Sequence, residues 1–150
     1  GLRFSQYIKD AMVIGGKEHD YTSAIIIIDF ANVGRWVEKK RISYTTFTDL
    51  SQKPEVGDLI RGEVERINRQ LAEGVRIKKF ACLHKEFDPD EADLTRTRKL
   101  KRVALTRKLE DLVKAIYNDE KQCFVEASIT YQDGRQGLIK TALNIYSLFH

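Results

Sequence analysis

The chain divides into stretches where apolar residues recur every three or four positions and stretches where they alternate or run unbroken. The first pattern marks amphipathic helices and the second marks strands. Tyr21–Phe30 is almost continuously apolar and rich in β-branched residues, as expected of a strand buried on both faces. Tyr7–Gly15 carries Ala11, Met12, Val13 and Ile14, and Gly15-Gly16-Lys17-Glu18-His19-Asp20 follows with turn chemistry. Together they predict a hairpin. Asn32–Arg41 predicts a short helix capped by Asn32, with Val33, Trp36 and Val37 on one face. Ile42–Lys53 is rich in Thr and Ser and reads as irregular. Pro54 suits a first helical turn. Val56, Ile60, Val64, Ile67 and Leu71 then recur at helical spacing, and Gly74 stands where a C-cap would, so Pro54–Glu73 is predicted helical.

Val75–His84 predicts a strand, and Lys85–Leu94 an acidic loop. Leu105, Leu109, Leu112 and Ile116 predict a helix over Val103–Tyr117. The period then changes: Cys123, Val125, Ala127, Ile129 and Tyr131 alternate with Phe124, Glu126, Ser128 and Thr130. Asp133-Gly134 is a hairpin turn signal, and Leu138–Leu148 alternates again. These signals predict a C-terminal β-hairpin suited to the edge of the main sheet. The fold class is α+β: a small mixed sheet, two longer covering helices and that hairpin. Residues 1–118 read as one domain and 119–150 as the appended hairpin.

Composition changes this picture little. Of 150 residues, 42% are apolar and 32% charged, as in an ordinary globular protein able to bury a core without staples. The longest aliphatic run, Ala24–Ile28, ends at Asp29 and is too short to span a bilayer. No signal peptide opens the chain. Cys82 and Cys123 lie far apart and outside any CxxC spacing, which favours two free thiols, with one disulfide as the other arrangement. The expected location is the cytoplasm, with peripheral contact at a membrane as the alternative setting.

Candidate chemistry is sparse. His19, His84 and His150 share no ligand spacing with each other or with a cysteine; Cys82 and His84 form a pair at most, so no metal site is expected. GxSxG, GxxxxGK[ST] and GxGxxG are all absent. Asp88, Asp90, Glu91 and Asp93 sit in one acidic stretch that reads as solvated surface. The outstanding feature is Asp93–Leu105, DLTRTRKLKRVAL. Within Thr95–Lys108, seven of fourteen residues are Arg or Lys and none is acidic, against a net charge of only +4 for the chain. A charge run of this kind is commonly a solvated helix start. Cations gathered before a helix also suit a polyanion, and their placement against the helix dipole suggests a use.

Leu94-Thr95-Arg96-Thr97-Arg98-Lys99-Leu100-Lys101-Arg102 resembles the last core motif of the AMP-forming, adenylate-forming enzymes. That motif ends in Gly-Lys-Ile-x-Arg, and the long-chain fatty acyl-CoA synthetase branch reads Leu-Thr-Pro-Thr-Leu-Lys-Leu-Lys-Arg. Lys99 falls on the motif lysine and Arg102 on the following arginine. Arg96 and Arg98 depart from the usual Pro and Leu. Phe4–Gly15 is similar to that branch's segment after the hinge, and Glu63–Asn68 to its long helix. Ile77-Lys78-Lys79-Phe80, then Phe87 and Leu94-Thr95, keep its order. The resemblance runs over about Leu2–Tyr117.

The resemblance implies the small, mobile C-terminal domain of a fatty acid–CoA ligase, whose large N-terminal adenylation domain is absent here. It implies Lys99 as the adenylation lysine, with Arg98, Lys101 and Arg102 supporting the charge. ATP, coenzyme A and Mg2+ would serve the full-length enzyme, with none bound to this part, which alone would not turn over. The tail, Cys123–His150, lies outside the resemblance, and a homo-oligomer stays open. Two other readings stand beside it. One is a nucleic-acid or phosphate-binding module built on residues 95–108, disfavoured because Phe87 and Tyr117 are the only nearby aromatics for stacking bases. The other is an interaction domain whose tail hairpin pairs edge to edge with a partner.

Overall fold

The computed structural model describes residues 5–15, 19–86, 109–130 and 133–149, with backbone alone for 127–130 and 139. The predicted first hairpin forms: β1 (Ile8–Ile14) pairs antiparallel with β2 (Thr22–Ile28). Gly16–Glu18 of its connection lies outside the described residues. Three helices follow, α1 (Phe30–Lys39), α2 (Phe47–Ser51) and α3 (Pro54–Asn68). A 3-10 turn (Glu73–Val75) leads into β3 (Ile77–Cys82), which lies parallel to β2. Then come α4 (Glu110–Tyr117), β4 (Gln122–Thr130) and β5 (Gln136–Ser147). The sheet order is β1-β2-β3-β5-β4, with β5 antiparallel to both neighbours. The α+β fold of the sequence reading is therefore observed, with the C-terminal hairpin joined to the β3 side of the sheet. Gly134 turns that hairpin at φ 85°, a conformation open to glycine at little cost.

Three local expectations are corrected. α1 begins at Phe30, and its cap is Asp29: the Asp29 carboxylate accepts from the Asn32 amide at 2.9 Å. Asn32 stands inside the helix and donates from its side chain to the Gln6 carbonyl at 2.7 Å. Phe30, next to the apolar run Ala24–Ile28, reads as the end of the strand, and this hid the start. Ile42–Lys53 is not wholly irregular, because α2 lies within it. Thr46 caps that helix by accepting from the Asp49 amide at 3.0 Å. Five residues with one buried apolar side chain, Leu50, are too few to show a period.

Third, α3 stops at Asn68, short of Glu73, and Gly74 sits in the 3-10 turn instead of capping it. Asn68 turns its side chain on the incoming strand, accepting from the Ile77 amide at 2.9 Å and donating to the Ile77 carbonyl at 2.8 Å. Leu71 still packs on the core from the turn beyond, so the apolar spacing outlasts the helix. The predicted final helix is seen as α4. Its expected start, Val103–Lys108, lies outside the described residues, as does the acidic stretch from Phe87 to Leu94.

The sheet separates two cores. On one face Ala24, Ile26, Ile28, Phe80 and Cys82 pack with Val33, Val37, Leu50, Val56, Ile60 and Val64 of α1, α2 and α3. On the other, Ile25, Ile27, Ala81, Leu83 and Leu143 pack with Leu112, Val113 and Ile116 of α4. The alternation of strand side chains makes this division. α3 comes close enough to β5 that a methyl group on Gly57 would overlap Tyr146. Both cysteines are free thiols and buried. No described helix is long and apolar enough to cross a membrane.

Candidate functional site

Lys99, Arg98, Lys101 and Arg102 all lie outside the described residues, within the segment 87–108. The structure shows the frame from which that segment hangs. Its outgoing anchor is the carboxyl end of β3. There the Leu83 amide donates to the Ile26 carbonyl at 2.8 Å, continuing the pairing with β2 past the strand's end. α2 holds the same stretch from the side: Thr48 donates its hydroxyl to the His84 carbonyl at 2.9 Å, and Gln52 donates to the Cys82 carbonyl at 2.8 Å. Gln52 also accepts from the Asn144 amide at 3.1 Å, which ties α2 to β5. At the rim, Lys9 pairs with Glu86 at 3.3 Å, an exposed contact of little energetic weight.

The returning anchor is α4. Leu109 and the helix's apolar side chains pack on the core that contains Ile27, Ala81 and Leu83. The far end of α4 meets the beginnings of β2 and β3, so the helix runs back against them. Eight helical residues rise about 12 Å, close to the length of β3 from Lys79 to Leu83. Both anchors therefore stand toward the carboxyl ends of the parallel pair β2–β3. In open sheets with parallel strands, that is where ligand-binding loops emerge.

A polar cluster sets the far end of α4. Lys79 is a buried strand residue, its side chain only 8% exposed. It donates to the Ile116 carbonyl at 3.3 Å, pairs with Asp119, and lies 5.6 Å from the Tyr21 ring centre. Tyr21 donates its hydroxyl to the same Ile116 carbonyl at 3.3 Å. These donors satisfy a carbonyl in the last turn of α4, and the ammonium suits the negative end of its dipole. Tyr117 accepts from the Ser23 hydroxyl at 2.6 Å and donates to the Tyr21 carbonyl at 2.8 Å. His19 stacks flat on Tyr117 with ring centres 3.8 Å apart. Burial pulls the Lys79 pKa down, but the Asp119 and Tyr21 hydrogen bonds outweigh it and leave the pKa above its ordinary value. Sequence reasoning assigned Lys79 no such role. The available signal was a lysine inside a predicted strand, followed by the apolar run Phe80-Ala81-Cys82-Leu83.

Cys82 and His84 gain no ligand partner. Among the described residues, no three His, Cys, Asp or Glu side chains gather to hold a metal ion. Burial pushes the Cys82 thiol up to about 12, so it stays protonated and unreactive. His84 is buried with its Nδ1 unpartnered, and burial with the nearby Lys85 charge lowers its pKa.

Comparison with known proteins points to the class that the motif resembles, the adenylate-forming enzymes. The chain is 29% identical over 120 residues to the long-chain-fatty-acid–CoA ligase FadD15 of Mycobacterium tuberculosis, and equally to FadD15 of Mycobacterium bovis. The match takes in 79% of this chain and spans about a fifth of the length of those relatives, 20%. It supports kinship at the level of the family and singles out no member. No family model and no solved structure matches the chain.

Proposed function

We propose that this chain is the C-terminal domain of an AMP-forming fatty acid–CoA ligase and that Lys99 is its adenylation lysine. The observation that carries the reading is the similarity to two long-chain-fatty-acid–CoA ligases over 120 residues. The ordered set of motif-like segments from Phe4 to Arg102 supports it, as does a frame with two anchors at one end of the sheet. Residues 1–118 form the mobile unit and 119–150 the added hairpin. ATP with its Mg2+, coenzyme A and the fatty acid are substrates of the whole enzyme, and the large N-terminal domain is this domain's partner.

The physical role follows from charge. A fatty carboxylate must approach the α-phosphorus of ATP, and both are anions. A cation placed between them offsets the repulsion and orients the nucleophile. Lysine suits the task as a compact charge on a long stem. Arg98, Lys101 and Arg102 supply further positive potential around it. A swing of the domain then admits the coenzyme A thiolate to the acyl-adenylate.

The test is acid-dependent ATP–pyrophosphate exchange in the full-length parent enzyme, wild type against Lys99→Ala, with thioester formation from pre-made acyl-adenylate run beside it. Exchange is expected to fall by roughly 100- to 1000-fold, as when other preorganised donors are lost. The second half-reaction is expected to survive. Unchanged exchange would remove Lys99 from the role and turn attention to Arg98 and Lys101.

A further inference from the structure

The two edges of the sheet are built differently. β1 carries Lys9 and Asp10 and breaks register with β2 between Ile8 and Asp10. Charges and a bulge of this kind blunt an edge against pairing. Among the described residues β4, the opposite edge, pairs only with β5. Its nine residues hold one charge, Glu126, and no proline. Among the described residues, no strand pairs with the alternate backbone N–H and C=O groups along its outer side.

The side chains add to this. Cys123 and Leu143 face the α4 core, so Phe124, Glu126, Leu138 and Lys140 take the other face of the hairpin. Among the described residues no helix covers that face there. The α2–α3 side reaches β5 through Asn144, Tyr146 and Ser147: Arg61 donates to the Ser147 carbonyl at 2.7 Å and lies over the Tyr146 ring. Phe124 and Leu138 are 71% and 68% exposed, more than any other large apolar side chain described. A hollow of about 460 Å³ runs at the edge, lined by Phe124, Val125, Glu126 and Lys140.

We propose that this edge is a homodimer interface: β4 pairs antiparallel with β4 of a second copy about a two-fold axis, joining two five-stranded sheets. Self-complementarity favours a second copy as the occupant. Antiparallel pairing of identical strands is itself a two-fold operation, so one unpaired edge satisfies the other. The charges agree. Glu126 stands opposite Lys140 in the β4–β5 register, so the patch is locally neutral and two copies meet without repulsion. Pairing centred on Phe124 sets the two Phe124 rings side by side and places each Glu126 opposite the Gln122 position, which carries no charge. Side chains on the exposed face of one copy then continue onto the exposed face of the other. The inference does not depend on the ligase reading.

The experiment is sedimentation of the 150-residue chain over a wide range of concentrations, with hydrogen exchange across Gln122–Thr130. A concentration-dependent dimer is expected, with protection of β4 amides rising as it forms. Phe124→Lys is expected to weaken dimerisation about thirtyfold or more, the effect of a central aromatic anchor, while the far-ultraviolet spectrum stays unchanged. Val75→Lys, an exposed apolar site away from the edge, is expected to leave the dimer intact. A chain that stays monomeric throughout would overturn the proposal and leave the edge to another occupant, such as the remainder of a longer polypeptide. A dimer indifferent to Phe124→Lys would overturn it as well.

Discussion

The two faces of the sheet are closed by different means. On one, α1, α2 and α3 lay a continuous apolar surface over Ile26, Ile28, Phe80 and Cys82. On the other, the only described helix is the eight-residue α4, whose apolar stripe of Leu112, Val113 and Ile116 is short. There the fold adds polar ties at one end: Lys79 and Tyr21 on the Ile116 carbonyl, and Tyr117 between Ser23 and the Tyr21 backbone. Apolar packing is strong but tolerant of small slides. Hydrogen bonds with fixed partners add register to a short helix that packing alone would hold loosely. The difference bears on the proposed function because α4 follows directly on the segment 87–108, which contains Lys99.

Substitution at the closed face should have the largest effect. Phe80 is fully buried and stacks with Tyr146, ring centres 4.9 Å apart. Phe80→Ala is expected to cost about 3–5 kcal/mol in denaturant unfolding, from lost transfer energy and the cavity left behind. A loss below that range would mean that this face relaxes more readily than its three helices imply.

At the tied face the effect should be smaller and local. Tyr117→Phe removes the donor to the Tyr21 carbonyl and the acceptor for Ser23, at a cost of about 1–2 kcal/mol. Amides of α4 are expected to exchange faster while those of α3 keep their rates. Equal acceleration in both helices would show that the two faces open as one unit and would break the comparison.

The smallest effect is expected at the rim, where His84 follows β3. Its folded pKa lies below the ordinary 6.5 because burial and Lys85 disfavour the imidazolium. The unfolded chain therefore binds the proton first as pH falls. Stability is expected to be full above 6.5 and to decline as pH falls through the lower, folded value. Unfolding curves on either side of that range should show the decline, and His84→Gln should reduce it. A slope that His84→Gln leaves untouched would assign the acid sensitivity elsewhere.

Much of the architecture was legible along the chain because each element carries its own period. The apolar run Ala24–Ile28 specified a buried strand, Val56, Ile60 and Val64 specified one face of α3, and Asp133-Gly134 specified the hairpin turn. The candidate cations were legible for another reason: a motif is a local string, and charge clustering shows without any fold. What a local string cannot carry is which partner an element finds. Asp29 prevailed over Asn32 as a cap, and Asn68 ended α3 by binding Ile77, because distant backbone groups arrived there to be satisfied. The same holds for Lys79. A lysine in a strand is tolerable inside only where a helix end, a carboxylate and a ring converge on it, and Ile116, Asp119 and Tyr21 come together only when the chain has folded. The order β3-β5-β4, which puts β4 at the edge among the described strands, was likewise decided by long-range pairing. Local sequence set the period and chemistry of each piece, and tertiary structure alone decided which polar groups would meet.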